Sequence, residues 1–279
     1  MGGPSSVATW HTAAVTIRLV ASDLDGTLFS PAHVPEARTV AVVNALVDAG
    51  VVVAAVTGRS WFGGAQLATS TGARLDWFIG SNGGHRLNLH TEVLEERLVF
   101  DTGDLVDTVD ALEDRLDDLG FGYEHHEGFW FSERFLEQFP TTVDGGPRRN
   151  TMHEQRERGD VGKLFVSHPE MHTTDLVELV RPHLPESMYV TTSGISFVEI
   201  TPIGADKGAA LARLCRILDI DRDEVVAFGD NHNDLTMLEW AGRGIAMGNA
   251  EPEVKEVADE VTATNEDFGV ALILEELLG

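Results

Sequence analysis

Two carboxylates two residues apart, Asp23 and Asp25, stand in the run Asp23-Leu24-Asp25-Gly26-Thr27. At the end of a strand two such groups can converge on one hard cation. They can also divide the work of a nucleophile and an acid–base group. The plainer reading is a turn, where Asp and Gly are favoured in any case. Thr57-Gly58-Arg59 is a second candidate. A hydroxyl with backbone N–H groups just before a helix makes an oxyanion site, and the same residues make an ordinary strand-to-helix turn. Lys207 is one of only three lysines, with Lys163 and Lys255, among 20 basic residues. Gly229-Asp230-Asn231-His232-Asn233-Asp234 is the fourth candidate. Asp230 and Asp234 are four apart and would share a face of a helical first turn, where a divalent cation such as Mg²⁺ relieves their repulsion. N-capping by Asp230 or Asn231 competes with that reading and is compatible with it.

These residues need elements that bring them together. Ile17–Ser22, Val51–Val56, Trp77–Ile79, Glu224–Phe228 and Gly244–Ala246 read as strands. Near-continuous apolar strands are those of a parallel sheet covered on both faces. Glu36–Ala49, Trp61–Ser70, Lys207–Leu218, Asn233–Ala241, Glu251–Val257 and Asp267–Leu278 read as helices. The candidates then all fall at carboxyl ends of strands or starts of helices, where open α/β sheets bind ligands. From His85 to Glu199 the strands alternate polar and apolar, as in Arg86-Leu-Asn-Leu89 and Ser196-Phe-Val-Glu-Ile200. Alternation suggests a sheet with one solvated face. The expected fold is therefore α/β, a Rossmann-like parallel-sheet core with an inserted α+β domain. Residues 1–16 would be a loose extension, 17–84 and 200–279 the core, and 85–199 the insert.

The chain has 279 residues with 20 basic against 46 acidic, a net charge of −26. That field opposes nucleic-acid binding and the approach of anionic substrates, so a site for phosphate must carry its own positive charge. No apolar run is long enough to span a membrane, and the N-terminus lacks the pattern of a signal peptide. The single cysteine, Cys215, reads as a packed helix thiol and suits the cytoplasm.

Together the motifs supply a carboxylate nucleophile, a second carboxyl, a hydroxyl, an ammonium and a metal site, the set for phosphoryl transfer through an aspartyl-phosphate. The chain resembles the haloacid dehalogenase-like (HAD) hydrolases, and among them the Cof-type phosphatases with a type IIB cap. Asp23-Leu-Asp-Gly-Thr-Leu28, Thr57-Gly-Arg59, Ser81-Asn-Gly83, Lys207-Gly-Ala-Ala-Leu211, Gly229–Leu238 and Ala246-Met-Gly-Asn-Ala250 carry the resemblance, with a tail through Asn265. It implies that Asp23 is the nucleophile and Asp25 the acid that protonates the leaving oxygen and later activates water. It implies Mg²⁺ on Asp23, the Asp25 backbone carbonyl and Asp230, supported by Asp234. Thr57 with Gly58, together with Lys207, would hold the phosphoryl oxygens, and Asn233 would lie close to them.

A carboxyl at Asp25 speaks against the dehalogenase and ATPase branches of that family. The expected activity is hydrolysis of a small phosphorylated metabolite, a sugar phosphate or similar monoester. A phosphomutase is the alternative; a non-catalytic phosphometabolite-binding protein would more naturally have lost Asp23, Asp25 or Lys207. A neighbouring carboxylate and partial burial should raise the Asp25 pKa. Within the cap, Arg86, Arg148 and Arg149 are the preferred contacts to the leaving group, ahead of His85, His125 and His126. A second anionic group would need an arginine, although solvated loops also carry such runs. Phe121, Tyr123, Phe129, Trp130 and Phe131 read as cap core.

Overall fold

A computed structural model describes residues 16–125, 128–139, 157–193 and 196–279. The first strands are β1 (Leu19–Ser22), β2 (Val52–Val56), β3 (Trp77–Gly80), β4 (His85–Asn88), β5 (Val93–Arg97), β6 (Gly120–His125) and β7 (Gly128–Phe131). They are followed by β8 (Val161–Ser167), β9 (Met188–Thr191), β10 (Val198–Pro202), β11 (Val225–Gly229), β12 (Arg243–Ala246) and β13 (Glu260–Val261). Helices are α1 (Ala37–Asp48), α2 (Trp61–Ser70), α3 (Thr102–Glu113), α4 (Glu133–Gln138) and α5 (Thr173–Val180). After them come α6 (Lys207–Leu218), α7 (Leu235–Trp240), α8 (Pro252–Val257) and α9 (Gly269–Leu278).

The Val- and Ala-rich runs have no polar face to offer water, and they form the middle of an eight-stranded sheet ordered β13-β12-β11-β1-β2-β3-β4-β5. Pairing is parallel from β13 through β3 and antiparallel at β4 and β5. Ser22 lies opposite Ala55 on one side and Phe228 on the other, so β1, β2 and β11 end level with one another. Helices close both faces by their apolar stripes. In α1 these are Thr39, Val42, Val43 and Leu46, at the spacing of one helical face. In α6 Leu211, Leu214 and Cys215 do the same.

A second, five-stranded antiparallel sheet is ordered β7-β6-β8-β10-β9. Its two faces follow the period-2 rule. Phe121, Tyr123, Leu164, Val166, Val198 and Ile200 pack with apolar residues of α3 and α5. Glu124, Lys163 and Glu199 occupy the alternate positions, and they are buried as well. The expectation of one solvated face is therefore corrected: the polar face is turned toward the large sheet.

The passage between the two sheets also differs from the expected boundaries. β4 and β5 hydrogen-bond to β3 and extend the large sheet, although they lie beyond residue 84. β10 runs to Pro202 inside the smaller sheet, although residues from 200 on were expected in the core. Alternation marks a strand with two unlike faces and is silent about which sheet the strand joins. The expected helix from Asn233 begins instead as a 3-10 turn, His232–Asp234, before α7. The proposed extension falls, up to residue 15, outside the described residues. Among the described residues, no helix is long and apolar enough to cross a membrane.

Cys215 is buried, and burial pushes its thiol up to about 12. A thiol so far above ambient pH carries almost no thiolate, the reactive form. A disulfide reagent at pH 8 should therefore leave the native protein unlabelled and modify one thiol per chain in guanidinium. Stoichiometric labelling of the native protein would contradict this packing.

Candidate active site

Because β1, β2 and β11 end level, the residues that follow them meet. Lys207, the first residue of α6, is fully buried and donates to Asp23 Oδ1 at 2.7 Å and to Asp234 Oδ1 at 2.6 Å. Burial alone would lower the lysine pKa, but the two carboxylates outweigh it and the group stays charged. The helix is started by Asp206, whose side chain accepts from the Ala209 amide at 2.8 Å. Asp234 Oδ2 accepts from the Asp230 and Asn231 amides, both at 3.0 Å, and so holds the loop that carries Asp230. Thr27 donates to Asp230 Oδ1 at 2.8 Å.

Asp23, Asp230 and Asp234 each present an oxygen within 4.8 Å of the others. Burial, with the neighbouring carboxylates, raises Asp23 well above its usual range against the pull of Lys207. Burial and Asp234 lift Asp230 to about 6. One ammonium therefore leaves the cluster short of positive charge. An all-oxygen donor set with that deficit fits a hard divalent cation such as Mg²⁺.

Gly26 has φ +81°, and a Cβ there would collide with the Asp230 carboxylate. The loop after Asp25 is held from outside by asparagines. Asn249 donates to the Gly26 carbonyl and Asn265 to that of Phe29, each at 2.8 Å. The motifs Ala246–Ala250 and the tail thus act on the first motif from a distance.

Asp25 differs from expectation. Its oxygens take Arg59 Nε at 2.5 Å and Nη2 at 2.7 Å, and His33 Nδ1 lies 3.0 Å away. Burial pushes its pKa upward, but Arg59 and then His33 outweigh this, so the carboxyl lies below its usual value rather than above it. Arg59 belongs to the Thr57-Gly58-Arg59 motif, which by itself assigns it no role, and His33 belongs to no motif. Nothing local marks a residue eight positions on as a partner of Asp25.

Thr57 is buried and lines the same cavity as Gly58, Asn233, Asp23 and Asp25. Two of the amides of this turn are engaged: Thr57 N–H donates to the Ile79 carbonyl and Arg59 N–H to Thr57 Oγ1. Asn233 donates to Asn82 Oδ1 at 3.0 Å, and Asn82 donates in turn to Glu199 at 2.9 Å. Ser81 and Asn82 both have positive φ, which side chains rarely adopt. Ser81 Oγ donates to Glu124 Oε1 at 2.5 Å. Lys163 donates to Glu199 at 2.8 Å and to the Gly58 carbonyl at 2.9 Å. The smaller sheet is thereby bonded to the loops after β2 and β3.

Between the two lies a cavity of about 420 Å³. Its floor is the strand-end loops, and its roof holds Phe129, Phe131, Phe135, Phe165 and Phe197. Phe129 and Phe131 thus line the cavity as well as packing in the cap, while Phe121, Tyr123 and Trp130 lie on the other face. Arg86 is absent from the lining. It is buried on β4 and held by Glu96 at 2.6 Å on the neighbouring strand, so it is no contact for a leaving group. His85 bonds Ser81 Oγ at 3.0 Å, and His125 bonds Asp160 at 2.7 Å and packs edge-to-face with Trp130. Arg148, Arg149 and His126 lie outside the described residues.

Comparison with known proteins agrees with this geometry. The family model of haloacid dehalogenase-like hydrolases matches residues 20–274. The chain is 30% identical over 271 residues to a putative phosphatase of Bacillus subtilis, covering 94% of this chain and 98% of that one. It is 30% identical to the 5-amino-6-(5-phospho-D-ribitylamino)uracil phosphatase YcsE of the same organism, covering 92% and 94%. A solved HAD phosphatase from Bacteroides thetaiotaomicron superposes with a TM-score of 0.82 at 23% identity over 98% of this chain and 99% of that one. A HAD subclass IIB sugar phosphatase shares the fold with a TM-score of 0.78 at 21% identity, covering 93% and 98%.

Removing one partner of a buried ion pair leaves the other charge uncompensated, at a cost of about 3–5 kcal/mol. Lys163→Met should lose stability in that range in urea unfolding, because Glu199 keeps its burial and loses its cation. Glu199→Gln keeps one oxygen for Lys163 but turns an amide NH2 toward Asn82 and removes the carboxylate from Lys163, so it should lose stability as well. Equal, small losses would mean that the pair does not hold the two sheets together.

Proposed function

The chain belongs to the haloacid dehalogenase-like hydrolases of the Cof type, and we propose that it hydrolyses a small phosphorylated metabolite through an aspartyl-phosphate on Asp23, with Mg²⁺. Like its relatives it is a phosphatase acting on phosphate esters. The observation that carries the finer reading is the placement of Asp23. Its carboxylate lines the cavity, and only Oδ1 is taken by Lys207, which leaves Oδ2 to attack phosphorus.

The P–O bond to the leaving group breaks as the Asp23–phosphorus bond forms. The leaving oxygen takes its proton from Asp25, two residues away and in the same cavity. Water then attacks phosphorus, gives its proton to Asp25, and the bond to Asp23 breaks. Arg59 and His33 hold Asp25 in the carboxylate form, which suits this second half. For the first half, Asp25 must leave Arg59 and carry a proton. Thr57 would face the transferring oxygens with Asn233 beside it, fixed by Asn82, and Lys207, behind the cavity wall, would act on them through its contact with Asp23. Asp23, Asp230 and the backbone carbonyl of Asp25 would hold Mg²⁺, with Asp234 supporting the loop. When bound, the ion supplies positive charge that keeps these carboxylates ionised and offsets charge on the phosphoryl group.

Phosphate release from a panel of monoesters tests this reading. Release should need Mg²⁺, stop in EDTA, and fall by about a thousandfold or more in Asp23→Asn. Release that survives the variant would overturn it.

Gly26→Ala tests the metal reading separately. The left-handed conformation costs a side chain about 1–2 kcal/mol, and the new Cβ displaces Asp230. Mg²⁺ at about a hundred times its Kd should stabilise the wild type by about 2.7 kcal/mol. That gain, read as a shift in Tm, should shrink in Gly26→Ala while unfolding stays cooperative. An unchanged shift would place the ion elsewhere.

A further inference from the structure

We propose that the leaving group of the substrate carries a planar aromatic ring with a hydrogen-bond donor. The ring would sit against Phe129, Phe131, Phe165 and Phe197, and the donor would meet Glu124. The inference rests on the phosphatase reading, because it places the phosphoryl group at Asp23 and asks what fills the remainder of the cavity.

The roof of the cavity is built for an apolar plane. Phe129 and Phe131 alternate along β7 onto the inner face of the smaller sheet, and Phe165 of β8 lies beside them. Gly122 stands opposite Phe131, where a Cβ would strike the Phe131 ring. Phe197 packs edge-on to Phe165. Phe129 and Phe131 are stacked and the other pairs meet at tilted or edge-to-face angles, with centroids 5.4–6.0 Å apart, packing modes that a further aromatic ring can share. A polyol in this space would turn hydroxyls toward ring carbons that cannot bond them.

Charge leads the same way. Among the described residues that line the cavity, Arg59 is the single Arg or Lys, and its guanidinium is engaged by Asp25. Lys163, just behind the lining, is held by Glu199 and the Gly58 carbonyl. Neither is at hand for a second phosphate on the leaving group. Glu124 supplies the polar feature. It lines the cavity, Oε1 accepts from Ser81, and Oε2 is buried with no hydrogen-bond partner. A ring amine or N–H would satisfy it.

The test compares kcat/KM for benzyl phosphate, 3-aminobenzyl phosphate and glucose 6-phosphate. Benzyl phosphate should exceed glucose 6-phosphate by about tenfold or more, the scale on which an apolar pocket discriminates. Phe129→Ala should collapse that ratio. Phe129 is half-buried at the cavity, and a ratio cancels any general loss of folded enzyme. The amino compound should exceed benzyl phosphate in the wild type, and Glu124→Met should remove its advantage. Glucose 6-phosphate hydrolysed as well as benzyl phosphate, or ratios that neither variant moves, would overturn the assignment. Calorimetric titration with benzylphosphonate and methylphosphonate separates this inference from the reading it rests on. If no ester is hydrolysed yet benzylphosphonate binds about tenfold tighter, the ring site stands and the phosphatase reading falls. Equal binding of the two overturns the ring site whatever the turnover.

Discussion

One buried ammonium holds the catalytic floor together. Lys207 touches Asp23 and Asp234 at once and brings the one positive charge among them, and at Asp23 it offsets part of the upward push of burial. Desolvating each of these ions costs several kcal/mol, and the mutual attraction repays it only where the geometry is close. The fold therefore gains little stability from the triad. It gains a carboxylate fixed through one oxygen, beside a second one that is immobilised. Asp234 spends its other oxygen on two backbone amides, so the same contact that neutralises it also sets the loop bearing Asp230.

That contact demands a particular approach of helices. Lys207 must enter from the start of α6, and α6 must lie against α7, which follows Asp234. Gly208 makes this possible, since a Cβ there would run into the backbone of Thr236. Its amide donates to Thr236 Oγ1 at 3.1 Å, so the close approach is also bonded. The parallel order β11-β1-β2 does the rest, because only strands running the same way deliver Asp230, Asp23 and Thr57 to one edge.

Much of this was legible from the chain, for a local reason. A buried parallel strand is a continuous apolar run, and the residue that ends it is marked by its polarity. Asp23, Thr57 and Asp230 were found in this way, and Lys207 by standing at a helix start. What escaped was set by pairing between distant segments. Arg86 alternates correctly along its strand, yet its task is decided by Glu96 across the sheet. Asp25 was expected to be shifted upward by its neighbour, and Arg59 reverses the direction. Glu124, Lys163 and Glu199 had the spacing of a solvated face. Only the docking of one sheet over the other shows that face to be an interior.

That polar interior has a physical consequence for how the two parts work together. An apolar seam between the sheets would hold them shut, since separating it exposes hydrocarbon to water. Here the seam is carried largely by Lys163, Glu199, Glu124, Ser81 and Asn82, all of which water can solvate once they part, with an apolar contact of Phe62 edge-on to Phe129 beside them. Desolvation costs oppose closure about as strongly as the ion pairs favour it. A nearly balanced seam costs less to part than an apolar one of the same area. When closed, it bonds the cap to Gly58, Ser81 and Asn82, and Asn82 continues the chain of contacts to Asn233. The residues that sense the roof are therefore the ones that set the floor. On the proposed reading, a leaving group seated under the phenylalanines would tip the balance toward the closed arrangement, with its phosphoryl group at Asp23.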